Sequence, residues 1–326
     1  MRVLVTGVTG FVGLHLVEHI SRAAPGAQLF GLQWEEPRAD ERAILEGRVA
    51  LLPGDLTDPA SLGAAVAAAR PDIVLHLAAA ASVILSWQRS ARAVQVNALG
   101  TIHLLEAVHR ADLRPVVVVA SSAEIYGTVA PEGGPVTESC PIQPVSPYGA
   151  SKAAQDMLAS QLGRAFDLPV IRMRSFNLTG PRRPPDFVAS SFASQIARIE
   201  RCLQPPRLRV GNLEVVRDFT DVRDAARAYW MAATAGAPGE AYNLCSGRAT
   251  PIAEVARTLV TRSRVPVEIE VDPELLRSAD IPWLVGDHTR LHEAVGWAPA
   301  IPLERTFADL LTWWRQRPEE ALATLR

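Results

Sequence analysis

The sequence predicts an α/β protein built on a doubly wound parallel sheet, with a smaller α/β lobe behind it. Three observations lead there. Apolar runs of strand length alternate with Ala- and Leu-rich segments of helical length as far as Arg174, the pattern of a parallel sheet covered on both faces. The first run passes directly into glycines at 7, 10 and 13 and then into a segment with Leu14, Val17 and Ile20 at helical spacing. Beyond residue 178 the alternation stops, and proline, arginine and tryptophan become frequent.

Taken in order, Arg2 to Thr6 reads as a buried strand, and further strands are expected at Gln28 to Leu32, Val49 to Leu52, Asp72 to Leu77, Pro115 to Ala120 and Val170 to Arg174. They define a first domain over residues 1–177. Gly180-Pro-Arg-Arg-Pro-Pro185 reads as a loop, and 178–326 as a lobe over the carboxyl ends of the strands. Asp221 to Ala233 has the pattern of a helix, so 212–235 is expected to return to the first domain.

The segment Thr6-Gly7-Val-Thr-Gly10-Phe11-Val12-Gly13 supplies a tight turn, close backbone approach and exposed amides at a helix N-terminus. A pyrophosphate requires those features, so the sheet is expected to be of the Rossmann type and to bind a dinucleotide. The spacing is G-x-x-G-x-x-G, one residue wider than the usual fingerprint. Asp55, in Gly54-Asp55-Leu56, is placed to accept from an adenine amino group. The second strand runs out at Gln33, where NAD enzymes carry a carboxylate for the ribose. A 2′-phosphate is then not repelled and Arg38 is near enough to reach it. NADP(H) is slightly favoured on this reading, while Glu35 and Glu36 keep NAD(H) admissible.

A chain of 326 residues with 48% hydrophobic content can bury a sizeable core. Its formal charge of −2 gives no basic field for nucleic acid and no polybasic segment for a membrane, so a small-molecule partner is expected. Cys140, Cys202 and Cys245 are widely spaced and lack zinc-ligand spacing; they read as reduced thiols, with no metal site. The N-terminus enters a strand at once, without a secretory pattern, and the longest apolar stretch, Ile73 to Leu85, is too short to span a bilayer. A cytoplasmic protein is expected.

Of 33 basic residues one alone is a lysine, Lys152, four positions after Tyr148 in Tyr148-Gly-Ala-Ser-Lys152. An ammonium is a compact point charge and a guanidinium a broad fork, so Lys152 can occupy a spot that arginine would overfill. With 149–166 helical, Tyr148 and Lys152 project from one face a turn apart. There the cation is expected to lower the phenol's pKa from ~10 and make it a usable proton donor or acceptor.

TGVTGFVG, GDLTD, Leu77, Ala78 and Ala79 in HLAA, Asn97 in VNALGT, SSAEIYG and YGASK together resemble the extended short-chain dehydrogenase/reductases that act on nucleotide sugars. FNLTGPRR, GNLEVVRDFTDVRDAARAY, YNLCSG and LLRSADIPWLVGD are similar to the branch containing GDP-mannose 4,6-dehydratase and GDP-4-keto-6-deoxy-D-mannose reductase. The resemblance implies that Gly7, Gly10, Phe11, Val12, Gly13, Gln33, Arg38, Asp55, Leu56, Leu77, Ala78, Ala79, Asn97, Tyr148 and Lys152 line the cofactor. It gives Ser122, Tyr148 and Lys152 the catalytic roles, and Ser122, Glu124, Tyr148, Asn177, Arg217 and Arg277 contacts to a GDP-sugar. Ser122 would bond the sugar C4 oxygen, Tyr148 exchange its proton, and Lys152 hold the nicotinamide ribose. It also implies a homodimer through residues 97–109 and 149–166.

Dehydratases of this family carry a polar residue and then Glu after the catalytic Ser or Thr, whereas this chain has Ala123 and then Glu124. Alanine cannot move a proton, so reduction of the C4 ketone of GDP-4-keto-6-deoxy-D-mannose to GDP-D-rhamnose is expected over elimination. The alternatives are a dehydratase, a C4 epimerase, or a non-catalytic nucleotide-sensing protein. Leu178 stands where the family often has histidine and Ser278 where it often has proline.

Overall fold

In the computed structural model of the chain, residues 1–276 and 281–323 are described. The first domain begins with β1 (Arg2–Thr6), α1 (Phe11–Ala23), β2 (Gln28–Gln33), α2 (Ala39–Leu45), β3 (Val49–Pro53), α3 (Pro59–Ala69) and β4 (Ile73–His76). After α4 (Val83–Gln88) and α5 (Ser90–Val94), a π-helical turn at Gln95–Leu99 runs into α6 (Gly100–Arg110). β5 (Val116–Ser122), α7 (Pro147–Ala165) and β6 (Val170–Ser175) follow. Then come β7 (Asn177–Thr179), α8 (Val188–Glu200), β8 (Arg207–Val210), β9 (Val216–Arg217), β10 (Phe219–Asp221), α9 (Val222–Ala235) and β11 (Ala241–Leu244). The chain closes with β12 (Thr250–Pro251), α10 (Ile252–Val260), β13 (Glu268–Val271), β14 (Trp283–Leu284), α11 (Thr289–Val295), α12 (Leu303–Arg315) and α13 (Glu319–Ala323).

Seven strands form one sheet in the order β3-β2-β1-β4-β5-β6-β11, parallel throughout. Alternate residues of each strand supply two cores, as a sheet buried on both faces requires. Val3, Val5, Ile73, Leu75 and Val118 pack with α1 and α9, while Leu4, Val74, Val117 and Val119 pack with α3, α6 and α7. The strand order reverses between β1 and β4, which opens a crevice at their carboxyl ends where such sheets bind ligands.

Two segments of 178–326 pack with the main sheet. α9, within the 212–235 expected to return, packs against α1, and β11 also completes the edge of the sheet beside β6. β11 was not among the expected strands; four residues, Ala241–Leu244, are too short to show a period, and only pairing with β6 defines them. The lobe proper has its own core, in which Phe192 and Ile196 of α8, Val255 and Leu259 of α10, and Phe307, Leu310 and Trp314 of α12 are buried together.

Asp218 joins the two parts. Its carboxylate accepts from the Ser246 N–H and hydroxyl at 2.7 Å each and from the Gly247 N–H at 2.8 Å, just past β11. Its carbonyl accepts from the Asn177 N–H at 3.0 Å.

Candidate active site

The glycine turn forms as its residue types demand. Gly7 has φ +68°, and a Cβ there would lie 2.8 Å from the Ala78 nitrogen; a Cβ on Gly13 would lie 2.3 Å from the Gly7 oxygen. Helix α1 thus starts hard against the loop after β4, and its N-cap, Gly10, contributes no side-chain cap to the exposed amides of Phe11 and Val12. The Leu77 N–H donates to the Thr6 carbonyl at 3.2 Å and the Ala78 N–H to Thr6 Oγ1 at 3.1 Å, so 77–79 edge the same crevice.

At the far end of the crevice, Gln33 ends β2 with its side chain half-buried. Arg38 is already paired, its Nη2 lying 2.5 Å from Glu41 Oε1 and its Nε 3.9 Å from Asp40 Oδ1, with the side chain 76% exposed. Asp55 Oδ1 accepts from the Thr57 N–H at 2.8 Å, an Asx turn that aims the loop after β3. Leu56 is buried in the core, so only its backbone can face a ligand.

Asn97 is held by the protein itself. Its side chain is fully buried: Oδ1 accepts from the Ala80 N–H at 2.8 Å, and Nδ2 donates to the Ala80 carbonyl at 3.3 Å and to Ser151 Oγ at 2.9 Å. It clips the β4 loop to α7 from below the crevice.

Helix α7 carries Tyr148 and Lys152. Ser146 caps it, accepting from the Gly149 N–H at 3.0 Å, and Pro147 fills the first turn where its missing N–H costs nothing. The Tyr148 N–H donates to Ser86 Oγ at 3.1 Å, which anchors α4 beside the tyrosine. Ser122 ends β5; its hydroxyl accepts from the Glu124 N–H at 3.2 Å and hydrogen-bonds the Tyr148 phenol. Ser122 and Tyr148 therefore converge on one spot, with Glu124 half-buried beside them and Ala123 buried.

The phenol's acidity differs from the sequence reading. Burial pushes Tyr148 up to about 12, with Glu124 adding to the rise, while Ser122 and Arg183 oppose it. The Lys152 ammonium is held by the protein: Nζ donates to the Ala120 carbonyl and to Gln155 Oε1, at 2.7 Å each. Burial brings the ammonium down to about 7.

Arg183 is the residue that sequence reasoning missed. Its guanidinium carbon sits 3.3 Å from the centre of the Phe187 ring and 4.8 Å from that of Phe11, on the glycine turn. Its Nε is buried without a hydrogen-bond partner, no carboxylate among the described residues pairs with it, and burial brings it down to about 9. The neighbouring residue holds it there. Arg182, at φ +72°, makes a bidentate ion pair with Glu18 of α1, both contacts 2.9 Å, and His15 Nε2 donates to the Pro181 carbonyl at 2.9 Å. The motif GPRR offers two arginines, and only the fold separates the clamp from the unpaired cation.

A buried guanidinium over Phe11, next to an uncapped helix N-terminus, suits a diphosphate, so the residues present fit a dinucleotide. On the substrate side, Asn177 starts β7 and pairs in register with Phe219, two residues beyond Arg217, so both lie at one corner of the lobe. Arg217 donates to its neighbour's carbonyl, Val216 O, at 3.0 Å. Arg277 and Ser278 fall outside the described residues. Among the described residues no group of His, Cys, Asp and Glu could hold a metal, and no helix is long and apolar enough to cross a membrane.

This fold and this constellation define a nicotinamide-dependent oxidoreductase of the extended short-chain dehydrogenase/reductase type. More narrowly, the chain belongs to the GDP-mannose 4,6-dehydratase family, which matches it over residues 4–310. It is 36% identical to a GDP-6-deoxy-D-mannose reductase of Pseudomonas aeruginosa, over 98% of this chain and 99% of that protein. A UDP-glucose 4-epimerase of Mycolicibacterium smegmatis is 30% identical over 98% and 100% of the two chains. The solved structure of RMD from Pseudomonas aeruginosa complexed with NADPH superposes with a TM-score of 0.82 at 34% identity, covering 97% of this chain and 100% of that one. The Thermus thermophilus UDP-glucose 4-epimerase in complex with NAD gives 0.86 at 30% identity, over 97% and 99%.

Proposed function

We propose that the protein reduces the C4 ketone of GDP-4-keto-6-deoxy-D-mannose to GDP-D-rhamnose (GDP-6-deoxy-D-mannose). The observation that carries this reading is the Tyr148 phenol, buried and hydrogen-bonded to Ser122 while Ala123 fills the position beside it. Reduction needs a proton donor at the carbonyl oxygen, and a phenol near pKa 12 is a donor at neutral pH rather than a base. When bound, the reduced nicotinamide supplies hydride to the sugar C4. Ser122 and Tyr148 direct two hydroxyls at the oxygen on which negative charge develops, and Tyr148 gives it a proton, leaving an alcohol. Lys152 balances that charge and orients the ribose, and Arg183 with the amides of Phe11 and Val12 holds the diphosphate. Asn177, Arg217 and Arg277 take the nucleotide half of the sugar.

The Arg38 guanidinium is 76% exposed and free to swing, so a 2′-phosphate can draw it from the buried Glu41 carboxylate and NADPH keeps its slight preference over NADH. The test is loss of reduced-nicotinamide absorbance when GDP-4-keto-6-deoxy-D-mannose is added with NADPH and, in parallel, NADH. Turnover without net consumption would move the reading to a dehydratase or epimerase. Glu124→Gln separates the elimination reading further. A reductase keeps kcat within about fivefold, whereas loss of a general base for elimination costs about 10²-fold or more.

The enzyme is proposed to be a cytoplasmic homodimer. The three thiols are unpaired, which suits a reducing compartment. Val94, Leu99 and Met157 are 43%, 44% and 61% exposed on α5, the π turn and α7, three elements packed against one another, and exposed large apolar side chains on neighbouring elements suit an interface. Leu99→Asp is expected to halve the mass seen by light scattering; an unchanged mass would place the interface elsewhere.

A further inference from the structure

Lys152 is 3% exposed and is held by protein groups. One of its two acceptors, Gln155 Oε1, belongs to a side chain that is 0% exposed and whose Nε2 donates to Thr101 Oγ1 at 2.8 Å. A flipped carboxamide would turn its NH₂ donors toward an ammonium, so the partners determine its orientation. Thr101 gives its single proton to the Asn97 carbonyl at 2.7 Å, and therefore accepts from His76 Nε2 at 2.9 Å. His76 thus carries its proton on Nε2, and Nδ1 accepts from the Thr6 hydroxyl at 2.8 Å. Thr6 Oγ1 in turn accepts from the Ala78 N–H.

Every direction in the sequence Lys152, Gln155, Thr101, His76, Thr6 is thereby assigned, and no member exceeds 3% exposure. Beyond Lys152 it ends on peptide groups, Asn97 O and Ala78 N–H, so it has no outlet for a proton on the side away from the lysine. What it can do is hold a charge.

We propose that Gln155 is a positioning residue for Lys152: its carboxamide, oriented by Thr101 and His76, keeps the buried ammonium charged and leaves its third N–H for the ligand beside Tyr148. This rests on the reading of Lys152 as the cation that serves Tyr148 and the ribose. The charged groups around Lys152 cannot do the same work. Asp156, one turn on, favours the ammonium, yet its oxygens are engaged by Arg172 and Arg174 of β6 at 2.9–3.1 Å. His76 on β4 is neutral, its pKa brought to about 3 by burial, and Tyr148 keeps its proton. β5 offers the Ala120 carbonyl, and the π turn and α6 offer Asn97 and Thr101, all uncharged. With Lys152 near 7, one hydrogen bond decides whether ammonium or amine prevails at neutral pH.

A single lysine makes the measurement direct, since ¹³Cε-lysine labelling gives the resonance of Lys152 alone. In the wild-type protein it is expected to titrate near 7. Gln155→Leu should lower the midpoint by about one to two pH units, the size of a hydrogen bond to a charged group, and Gln155→Glu should raise it by at least as much. The alkaline limb of kcat should move with it, with about 10- to 100-fold loss at pH 8 in the Leu variant and recovery only as the pH falls below its lowered midpoint. A merely structural Gln155 would depress melting temperature and activity at every pH and leave the midpoint in place. An unmoved midpoint in folded Glu and Leu variants overturns the proposal; should the Leu variant not fold, the Glu variant decides alone. The titration needs no substrate, so a wild-type protein inactive on the proposed sugar would overturn the proposed function without bearing on this result.

Discussion

Tyr148→Phe is expected to lower kcat by about 10³-fold or more while NADPH binding stays within about twofold of wild type. The variant loses one oxygen, the one that donates the proton and meets Ser122. It leaves the helix start intact, because Ser146 caps the helix and Ser86 takes the Tyr148 backbone N–H. With the phenol near 12, Tyr148 is protonated throughout pH 6 to 9, so the wild-type alkaline limb in that window belongs to Lys152. Stopped-flow turnover beside fluorescence titration of NADPH measures both quantities, and wild-type turnover in the variant would remove Tyr148 from the mechanism.

Arg183→Met should weaken NADPH binding by about 100-fold, the value of a charge-assisted contact to phosphate taken from a buried site. Its melting temperature, in contrast, should hold or rise. The guanidinium is buried between Phe11 and Phe187 with no carboxylate among the described residues to offset its desolvation, so the fold bears a cost that only an anionic ligand returns. Methionine keeps the apolar contact to both rings and removes the charge. Calorimetric titration and thermal melts on one preparation test the two halves. A lower melting temperature with unchanged affinity would make Arg183 a packing residue.

Much of this architecture was legible in residues that act locally. Glycines at 7 and 13 are needed where a Cβ would strike the neighbouring backbone, and that need survives in any sequence context. Tyr148 and Lys152 lie one turn apart because helical geometry puts i and i+4 on one face, and Ser146-Pro147 announces where the helix starts. Ala123 stands where a proton-moving side chain would serve elimination, and that substitution is visible without a structure.

Other features depend on partners far along the chain. Arg182 and Arg183 are identical in sequence terms, yet one pairs with Glu18 of α1 and the other stands unpaired over Phe11. The Asn97 amide is engaged by Ala80 and Ser151, which lie 17 and 54 positions away. Likewise two of the three Lys152 N–H groups go to Ala120 and Gln155, because a buried ammonium takes the nearest oxygens. β11 is a strand only through β6. By itself, then, the sequence determined the periodic elements, the glycine turn and the one-turn spacing of Tyr148 and Lys152, since backbone sterics and helical spacing act over a few residues. Only the tertiary structure decided which charges are paired, which polar side chains are consumed by the protein, and which segments return to the sheet, since each depends on desolvation and hydrogen-bond partners that distant segments supply.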